Sequence, residues 1–123
     1  MKIAVSATAE GLDNQVDMRF GRCPYFVVVE VENKKIKSGK SIANPAMMQG
    51  GGAGLRAAQL MGDEKVDAVI SGNVGPNAFN VLNQLGIEIY QATGKVKDAI
   101  QAYLEGKLQK VSDATAPLDF GRR

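Results

Sequence analysis

Short apolar runs alternate with helix-patterned segments through the second half of the chain. Residues 66–70 and 87–90 have the composition of buried strands. Each is followed by a segment with apolar residues at helical spacing, 76–85 and 96–104, and a similar segment starting at Leu55 precedes the first run. Because strands that alternate with helices usually pair in parallel and are covered by those helices, this pattern predicts a three-layer α/β fold with a mostly parallel sheet.

The first half of the chain adds a hairpin to this sheet. Residues 2–6 form a β-branched-rich run, and the runs 25–31 and 36–42 flank a polar turn. One strand of a hairpin runs against its partner, so we expect a mixed sheet whose edge strand, 36–42, has one wet face. The segment between the first two strands, residues 7–24, is a long polar loop. Loops of this length in a compact domain are more often functional than not.

Glycine and proline mark the expected ends of the helices. The first helix is predicted to end at a C-capping Gly62. The second begins at Pro76, where a missing N–H does no harm, and closes at Gly86. The third is followed by Gly106. All three helices are therefore expected to be short.

The length of 123 residues fits one domain, since domains cluster near ~100–150 residues. We expect a single α/β domain over residues 1–108 and a polar C-terminal tail, 109–123, that is loose unless Leu118 and Phe120 dock.

Charge and cysteine content exclude several classes of function. The net charge is +2, which does not predict nucleic-acid or membrane-surface binding, and no run of ~18 apolar residues predicts a membrane span. A single cysteine cannot form an internal disulfide, and the first residues lack a secretory apolar region, so we expect a cytoplasmic protein. The chain has no histidine, which excludes Ser-His-Asp and Cys-His mechanisms within it.

The carboxyl ends of the parallel strands predict where a ligand would bind. In open α/β sheets ligands lie beyond these ends, near the point where the strand order reverses. The loops that follow the strands, together with the glycine-rich approach to the first helix, are expected to share this edge. Helix N-termini expose unpaired N–H groups and glycines let an anion approach closely, so the edge favours an anionic ligand. The candidates on these loops are Gly51, Gly52, Ala53, Gly54, Gly72, Asn73, Gly75 and Asn77.

The glycine-rich loop also has alternative interpretations. Residues 52–57 match a dinucleotide fingerprint formally, but no strand precedes them and no acidic residue ends a strand at the expected spacing. No Lys-Ser/Thr pair follows, so the loop is not a P-loop. The remaining interpretations are a tight helix entrance and an anion cradle.

Cys23 also has two interpretations. It can be a small buried apolar residue, or Arg19 and Arg22 can favour its thiolate, which is a ligand for soft metals. One cysteine cannot build a four-thiolate site, but it could hold one corner of a cluster that arrives with its own sulfide. Arg19, Phe20, Gly21 and Arg22 are then expected to contact the cluster, with the arginines balancing its negative charge.

Other candidate ligands lie near the same loops. Met47 and Met48 are soft thioether donors, although methionines near helix starts are more often core gap-fillers. Asp13 and Asp17 could bind a hard cation, although acids in such loops more often cap turns.

Three motifs in this order resemble a known family: residues 20–26 (FGRCPYF), 51–56 (GGAGLR) and 75–79 (GPNAF). They are similar to the small dinitrogenase iron–molybdenum cofactor-binding family, which includes nitrogenase cofactor carriers and stand-alone archaeal and bacterial proteins. The resemblance runs from about Met1 to Leu108. It implies a cofactor-binding domain with a ribonuclease-H-like α/β/α fold and a five-stranded mixed sheet whose second strand is antiparallel.

The resemblance also implies a ligand. Family members bind iron–sulfur or iron–molybdenum–sulfur clusters in transit or storage rather than for turnover, and their partners are cluster donor or acceptor proteins. Two positions depart from the family pattern: Arg19 stands where carriers often have histidine, and Cys23 stands where many stand-alone members have alanine. If the ligand role has moved, Cys23 is its natural successor. If it has not, the alternatives are that the protein binds its ligand by charge alone or that it does not bind nitrogenase cofactor. A nitrogenase role does not follow from the family alone.

Three functional hypotheses result. The first is a non-enzymatic carrier or store of an anionic metal–sulfur cluster, with Cys23 as metal ligand. The second is a nuclease, which needs carboxylates clustered on the central strands, yet the strand 66–70 carries only Asp67, at its start. The third is a regulatory or interaction module that binds a protein partner or a small anion, with Cys23 structural.

Overall fold

The computed structural model describes residues 1–48 and 50–114. The part of the predicted loose tail that contains Leu118 and Phe120 therefore lies outside the described residues. In chain order the elements are β1 (Lys2–Ala7), β2 (Tyr25–Glu32), β3 (Lys35–Ala43), α1 (Ala53–Asp63), β4 (Ala68–Ser71), α2 (Pro76–Gln84), β5 (Glu88–Gln91) and α3 (Val96–Leu104).

The five strands form one mixed sheet in the order β3-β2-β1-β4-β5. β1 pairs with β4 in parallel, and β4 with β5. β2 is antiparallel to both of its neighbours, β1 and β3. This confirms the expected mixed sheet with an antiparallel second strand. Consequently the carboxyl ends of β1, β3, β4 and β5 all point to one edge of the sheet, which we call the strand-end edge.

Side-chain alternation along the strands builds two cores, one on each face of the sheet. On one face, Ala4, Val28 and Val69 pack with buried residues of α1 and α2. On the other face, residues such as Val5 and Ile70 pack with buried residues of α3. The helices therefore cover both faces, and the predicted three-layer arrangement is confirmed.

The hairpin differs from its prediction along its second strand. Its turn residues Asn33 and Lys34 have φ of 53° and 61°, as a type I′ two-residue turn requires. Residues 35–40 are exposed on both faces of the sheet, although one wet face was expected. The reason is that the helices cover the inner strands, and Ile42 is the β3 residue that packs against the α1–α2 core.

The predicted helix end at Gly62 is wrong. α1 continues to Asp63 with Glu64 as its C-cap, and Lys65 adopts the left-handed conformation with φ of 57°. Gly62 instead faces the second helix, because a Cβ placed on it would lie 2.9 Å from Leu85 Cδ1. A side chain at position 62 would therefore displace the Leu85 side chain at the end of α2. The predicted end of α2 at Gly86 is correct, with φ of 74° there.

After α3 the chain returns along β5. The Val111 N–H donates to the Ile89 carbonyl at 2.8 Å, and Lys110 forms a bridge with Tyr90. Val111 also packs against the α1–α2 core. Among the described residues, no helix has the length and apolar character needed to cross a membrane.

Candidate functional site at the strand-end edge

Four loops meet at the strand-end edge, and hydrogen bonds connect them. The Phe20 N–H donates to the Asn73 carbonyl at 3.2 Å, and the Val16 N–H donates to the Gly94 carbonyl at 2.8 Å. The loops expected to share this edge therefore lie together. Their described residues are 8–24, 44–48 with 50–52, 72–75 and 92–95.

Residues 16–18, which we call the crevice segment, fill the switch point of the sheet. The chain leaves β1 toward β2 on one side and leaves β4 toward β5 on the other, so the switch point lies between β1 and β4. The Asp17 N–H donates to the Ser6 carbonyl at 2.8 Å, and its carbonyl accepts from the Gly72 N–H at 3.1 Å. A Cβ on Gly72 would lie 2.5 Å from Met18 Cα. The crevice that binds ligands in related folds is therefore occupied by the chain itself.

The role predicted for Gly72 is thereby corrected. Its N–H was expected to be available to an anion, but it donates to the Asp17 carbonyl. Its missing side chain makes room for Met18 rather than for a ligand. Asn73 is likewise used within the protein, because its carbonyl accepts from the Phe20 N–H and its side-chain oxygen lies 3.4 Å from the Gln91 amide nitrogen.

Two buried serines lie beneath the crevice segment, and they were not identified as site residues from the sequence. Ser6 Oγ and Ser71 Oγ are 2.8 Å apart, and Ser71 Oγ donates to the Asn73 carbonyl at 3.2 Å. Ser6 Oγ also lies 2.9 Å from the Asp17 carbonyl. The sequence feature that could have indicated them is a serine near the end of each of two otherwise apolar strands, β1 and β4. Both serines hold loops in place at the edge.

Asp17 acts on its own turn. Its Oδ1 accepts from the Arg19 N–H at 2.8 Å and lies 3.4 Å from Arg19 Nε. Asp17 therefore caps a turn, which was the alternative to binding a hard cation. Among the described residues, no group of three or more acidic, cysteine or histidine side chains is arranged to hold a metal ion. The Arg19 side chain is 43% exposed, so its charge remains accessible at the edge.

Phe20 and Gly21 are packing residues in this structure. Phe20 is 2% exposed and its ring packs on Phe26 with a centroid distance of 5.2 Å. A Cβ on Gly21 would lie 2.8 Å from the Gly54 backbone nitrogen. The Phe20 ring therefore lies in the core and not at the surface of the edge, and Gly21 presses against the first turn of α1.

Arg22 binds the glycine-rich loop. Its Nη1 donates to the Met47 carbonyl at 3.2 Å, and its Nη2 donates to the Gly50 carbonyl at 2.8 Å. These bonds show that the Arg22 guanidinium holds loop backbone, whereas it was predicted to neutralise a ligand. Within that loop Met47 is half-buried and Met48 is 85% exposed, so Met48 does not fill a core gap.

Cys23 lies inside the α1–α2 core and is fully buried. Its thiol donates to the Phe20 carbonyl, with the sulfur 3.4 Å from that oxygen. Burial, with a smaller contribution from the negative charge of Asp17, raises the pKa of the Cys23 thiol, so the group is neutral. A neutral, enclosed thiol is a poor metal ligand. This conformation therefore does not support the predicted ligand role and favours the structural alternative.

The first turns of α1 and α2 lie side by side at the edge. A Cβ on Gly54 would lie 3.3 Å from Ala78 Cβ. Neither helix has a side-chain cap or an acidic residue in its first turn, and their N-caps are Gly52, with φ of 73°, and Gly75. The partial positive charges of the two helix ends therefore add at this point, which we call the paired helix starts (residues 51–55 and 75–78).

Of the predicted residues, several remain at the surface of the paired helix starts. Gly51 and Asn77 are exposed, and Gly52, Gly54 and Gly75 are partly exposed. Ala53 is buried. The sequence did not indicate Leu55, which is 42% exposed in the first turn of α1. This surface therefore combines two neighbouring helix starts with no acidic side chain in either first turn.

Comparisons with known proteins agree with this architecture. The family model described as "Dinitrogenase iron-molybdenum cofactor" matches residues 1–106. Uncharacterized protein MJ0580 of Methanocaldococcus jannaschii is 39% identical over 112 residues, which cover 89% of this chain and 95% of that protein. The apo form of the orange protein from Desulfovibrio gigas superposes with a TM-score of 0.87 at 35% identity, covering 94% of this chain and 96% of the other. Protein TM1290 from Thermotoga gives a TM-score of 0.79 at 28% identity, covering 94% and 97%.

Proposed function

Because this chain belongs to the dinitrogenase iron-molybdenum cofactor family, we propose that it binds an anionic metal–sulfur cluster at the strand-end edge. The cluster is of the iron–sulfur or iron–molybdenum–sulfur type and is carried or stored without chemical turnover. Cytoplasmic proteins that donate or accept the cluster are the partners in this proposal.

The observation that carries the proposal is the pair of helix starts. Two helices begin side by side without an acidic residue in either first turn. Arg56 N–H is the first in α1 to bond four residues back, to Gly52, so the N–H groups of residues 53–55 precede the helical ladder. An anion placed there meets backbone dipoles whose orientation the fold already fixes.

The residues present fit a cluster that brings its own sulfide. Cys23 is enclosed in the core and the chain has no histidine, so attachment through these ligands is not available in this conformation. Positive partial charge from the helix starts and the half-exposed guanidinium of Arg19 suit a complete, negatively charged cluster. Such binding is reversible and is consistent with carriage.

A nuclease has less support. Asp67 precedes β4, at the end of the sheet opposite the strand-end edge, and its Oδ2 accepts from the Lys2 N–H at 2.8 Å. The carboxylate is therefore far from the loops that converge and is already used in structure.

The proposal is tested by reversing charge at one helix start. Asn77→Asp adds a negative charge to the exposed first turn of α2 with little change of shape, and Asn80→Asp makes the same change on the exposed side of the helix one turn later. The probes are tetrathiomolybdate, an anion that carries its own sulfide, and a cluster assembled anaerobically from iron and sulfide. Binding is measured by visible absorption retained after desalting and by titration calorimetry.

We expect Asn77→Asp to weaken binding by at least about tenfold through repulsion, while the same change stabilises the helix by about 0.3–1 kcal/mol. Asn80→Asp should bind nearly as the wild type does. Cys23→Ala should also retain the cluster. Equal binding by Asn77→Asp and wild type, or negligible absorption with wild type, contradicts the proposal.

One observation favours a second candidate, a regulatory module that binds a small anion or a protein partner. Cys23 is buried, as that hypothesis expects. The two functions differ in their preference for sulfide, so molybdate and phosphate serve as matched anions without it. If these bind as tightly as tetrathiomolybdate, the small-anion function is the better one.

A further inference from the structure

Asn44 is a buried polar residue at the strand-end edge. It follows the last residue of β3 and is 6% exposed. Its side-chain nitrogen donates to the Cys23 carbonyl at 2.9 Å and to the Gly21 carbonyl at 3.1 Å. Its side-chain oxygen accepts from the Ala46 N–H at 3.0 Å. Both ends of the amide are therefore used, the nitrogen as a donor and the oxygen as an acceptor.

The backbone of Asn44 adds two more bonds. Its N–H donates to the Pro24 carbonyl at 2.9 Å, and its carbonyl accepts from the Met47 N–H at 3.2 Å. One residue thus joins two loops that are more than twenty positions apart in the chain. One loop contains residues 21–24 and the other residues 44–48.

The two loops are also joined in the other direction, by the Arg22 side chain of the first loop. Arg22 donates to the carbonyls of Met47 and Gly50, so the first loop also holds the second. Gly21, whose carbonyl Asn44 binds, lies against the Gly54 nitrogen in the first turn of α1. The position of Gly21 over that turn therefore depends on the Asn44 amide.

We propose that Asn44 is a positioning residue that fixes the glycine-rich loop and the first turn of α1 in the arrangement that binds the anion. This inference rests on the proposed function and assigns the geometry of that site to a residue that does not itself contact the ligand. The side chain at position 44 must be neutral as well as of this size. A carboxylate at position 44 would face the Gly21 and Cys23 carbonyls and repel both, while it would still accept from the Ala46 N–H.

The test compares Asn44→Asp with two controls. Asn80→Asp makes the same chemical change at an exposed site on α2. Ile100→Val removes one methyl group from the core on the α3 face and so destabilises the protein away from the edge. Amide hydrogen exchange is measured at Met47 and Arg56, whose N–H groups donate to the Asn44 and Gly52 carbonyls, and in β4. Tetrathiomolybdate affinity is measured where every variant is folded.

We expect Asn44→Asp to accelerate exchange at Met47 and Arg56 by at least about tenfold more than in β4, and to weaken tetrathiomolybdate binding about tenfold. Ile100→Val should leave the affinity unchanged, which separates positioning from general stability. Unchanged exchange at Met47 and Arg56 overturns the positioning role. Changed exchange with unchanged affinity overturns its link to binding.

Failure of the wild type to bind tetrathiomolybdate is a different result, because it contradicts the proposed function and with it the link to binding. In that case the exchange measurement still decides whether Asn44 holds the loop. The two failures are therefore distinguishable in one set of samples.

Discussion

Gly21 and Gly54 touch through their backbones, although 32 residues separate them in sequence; a Cβ on Gly21 would stand 2.8 Å from the Gly54 nitrogen and 2.9 Å from its Cα. Real Cβ atoms do not approach backbone this closely, and backbone cannot turn aside as a side chain can. The long loop after β1 is thus seated directly on the start of α1.

Gly21→Ala should therefore lower the free energy of unfolding by about 1–3 kcal/mol, the range for overpacking a well-packed site. Urea denaturation measures this. Gly50→Ala is the matched control, because a Cβ there has no neighbour within 4 Å among the described residues. Equal stability of the two variants would show that the loop can lift from the helix at little cost.

Arg22 should act through the shape of its guanidinium more than through its charge. Its two nitrogens bind two different carbonyls, which a lysine ammonium on a flexible stem cannot match. We expect Arg22→Lys to lose about 1 kcal/mol of stability and to weaken tetrathiomolybdate binding nearly as much as Arg22→Ala. Arg56→Lys, at an exposed position of α1, is the control. Wild-type binding by Arg22→Lys would instead indicate that charge alone matters.

The Cys23 thiol should react slowly in the native protein. The thiol is enclosed, so a reagent cannot reach it, and burial raises its pKa, so the reactive thiolate is not formed. A disulfide reagent at pH 8 should modify native protein at least about a hundredfold more slowly than the same protein in denaturant. Rapid stoichiometric reaction of the folded protein would restore Cys23 as a candidate ligand.

The same thiol should make stability depend on alkaline pH. Above the ordinary thiol pKa of about 8.5 the unfolded chain loses this proton and the folded chain keeps it, so rising pH favours unfolding. Between about pH 9 and pH 10, wild type should lose about 1.2 kcal/mol more stability than Cys23→Ala does. Guanidinium denaturation at each pH measures the difference, and parallel curves for the two proteins would contradict it.

The architecture was predictable because its determinants are local. The spacing of apolar residues identified all eight elements, and the turn residues placed most of their ends within a few positions. The family motifs supplied the antiparallel second strand. These signals depend on residues within one element or one turn.

The roles of individual edge residues were less predictable, because they depend on distant neighbours. Nothing near Gly72 in sequence shows that Met18 will lie against it, and nothing near Gly21 indicates Gly54. Cys23 looked reactive beside two arginines, yet Arg22 points to loop carbonyls and the thiol points into the core. Asn44 directly precedes a proline, and no residue near it in sequence indicates the two loops that it joins. Its function is visible only when both loops that it joins are in place.

The filled crevice between β1 and β4 bears on the kinetics of ligand exchange. The crevice segment is fixed by backbone bonds to Ser6 and Gly72, so a ligand bound as proposed, at the paired helix starts, would lie outside the protein body. No loop then has to open before the ligand departs. The rate of transfer to another protein would be set by collision frequency and by the relative affinities of the two surfaces, and it would rise in proportion to the acceptor concentration.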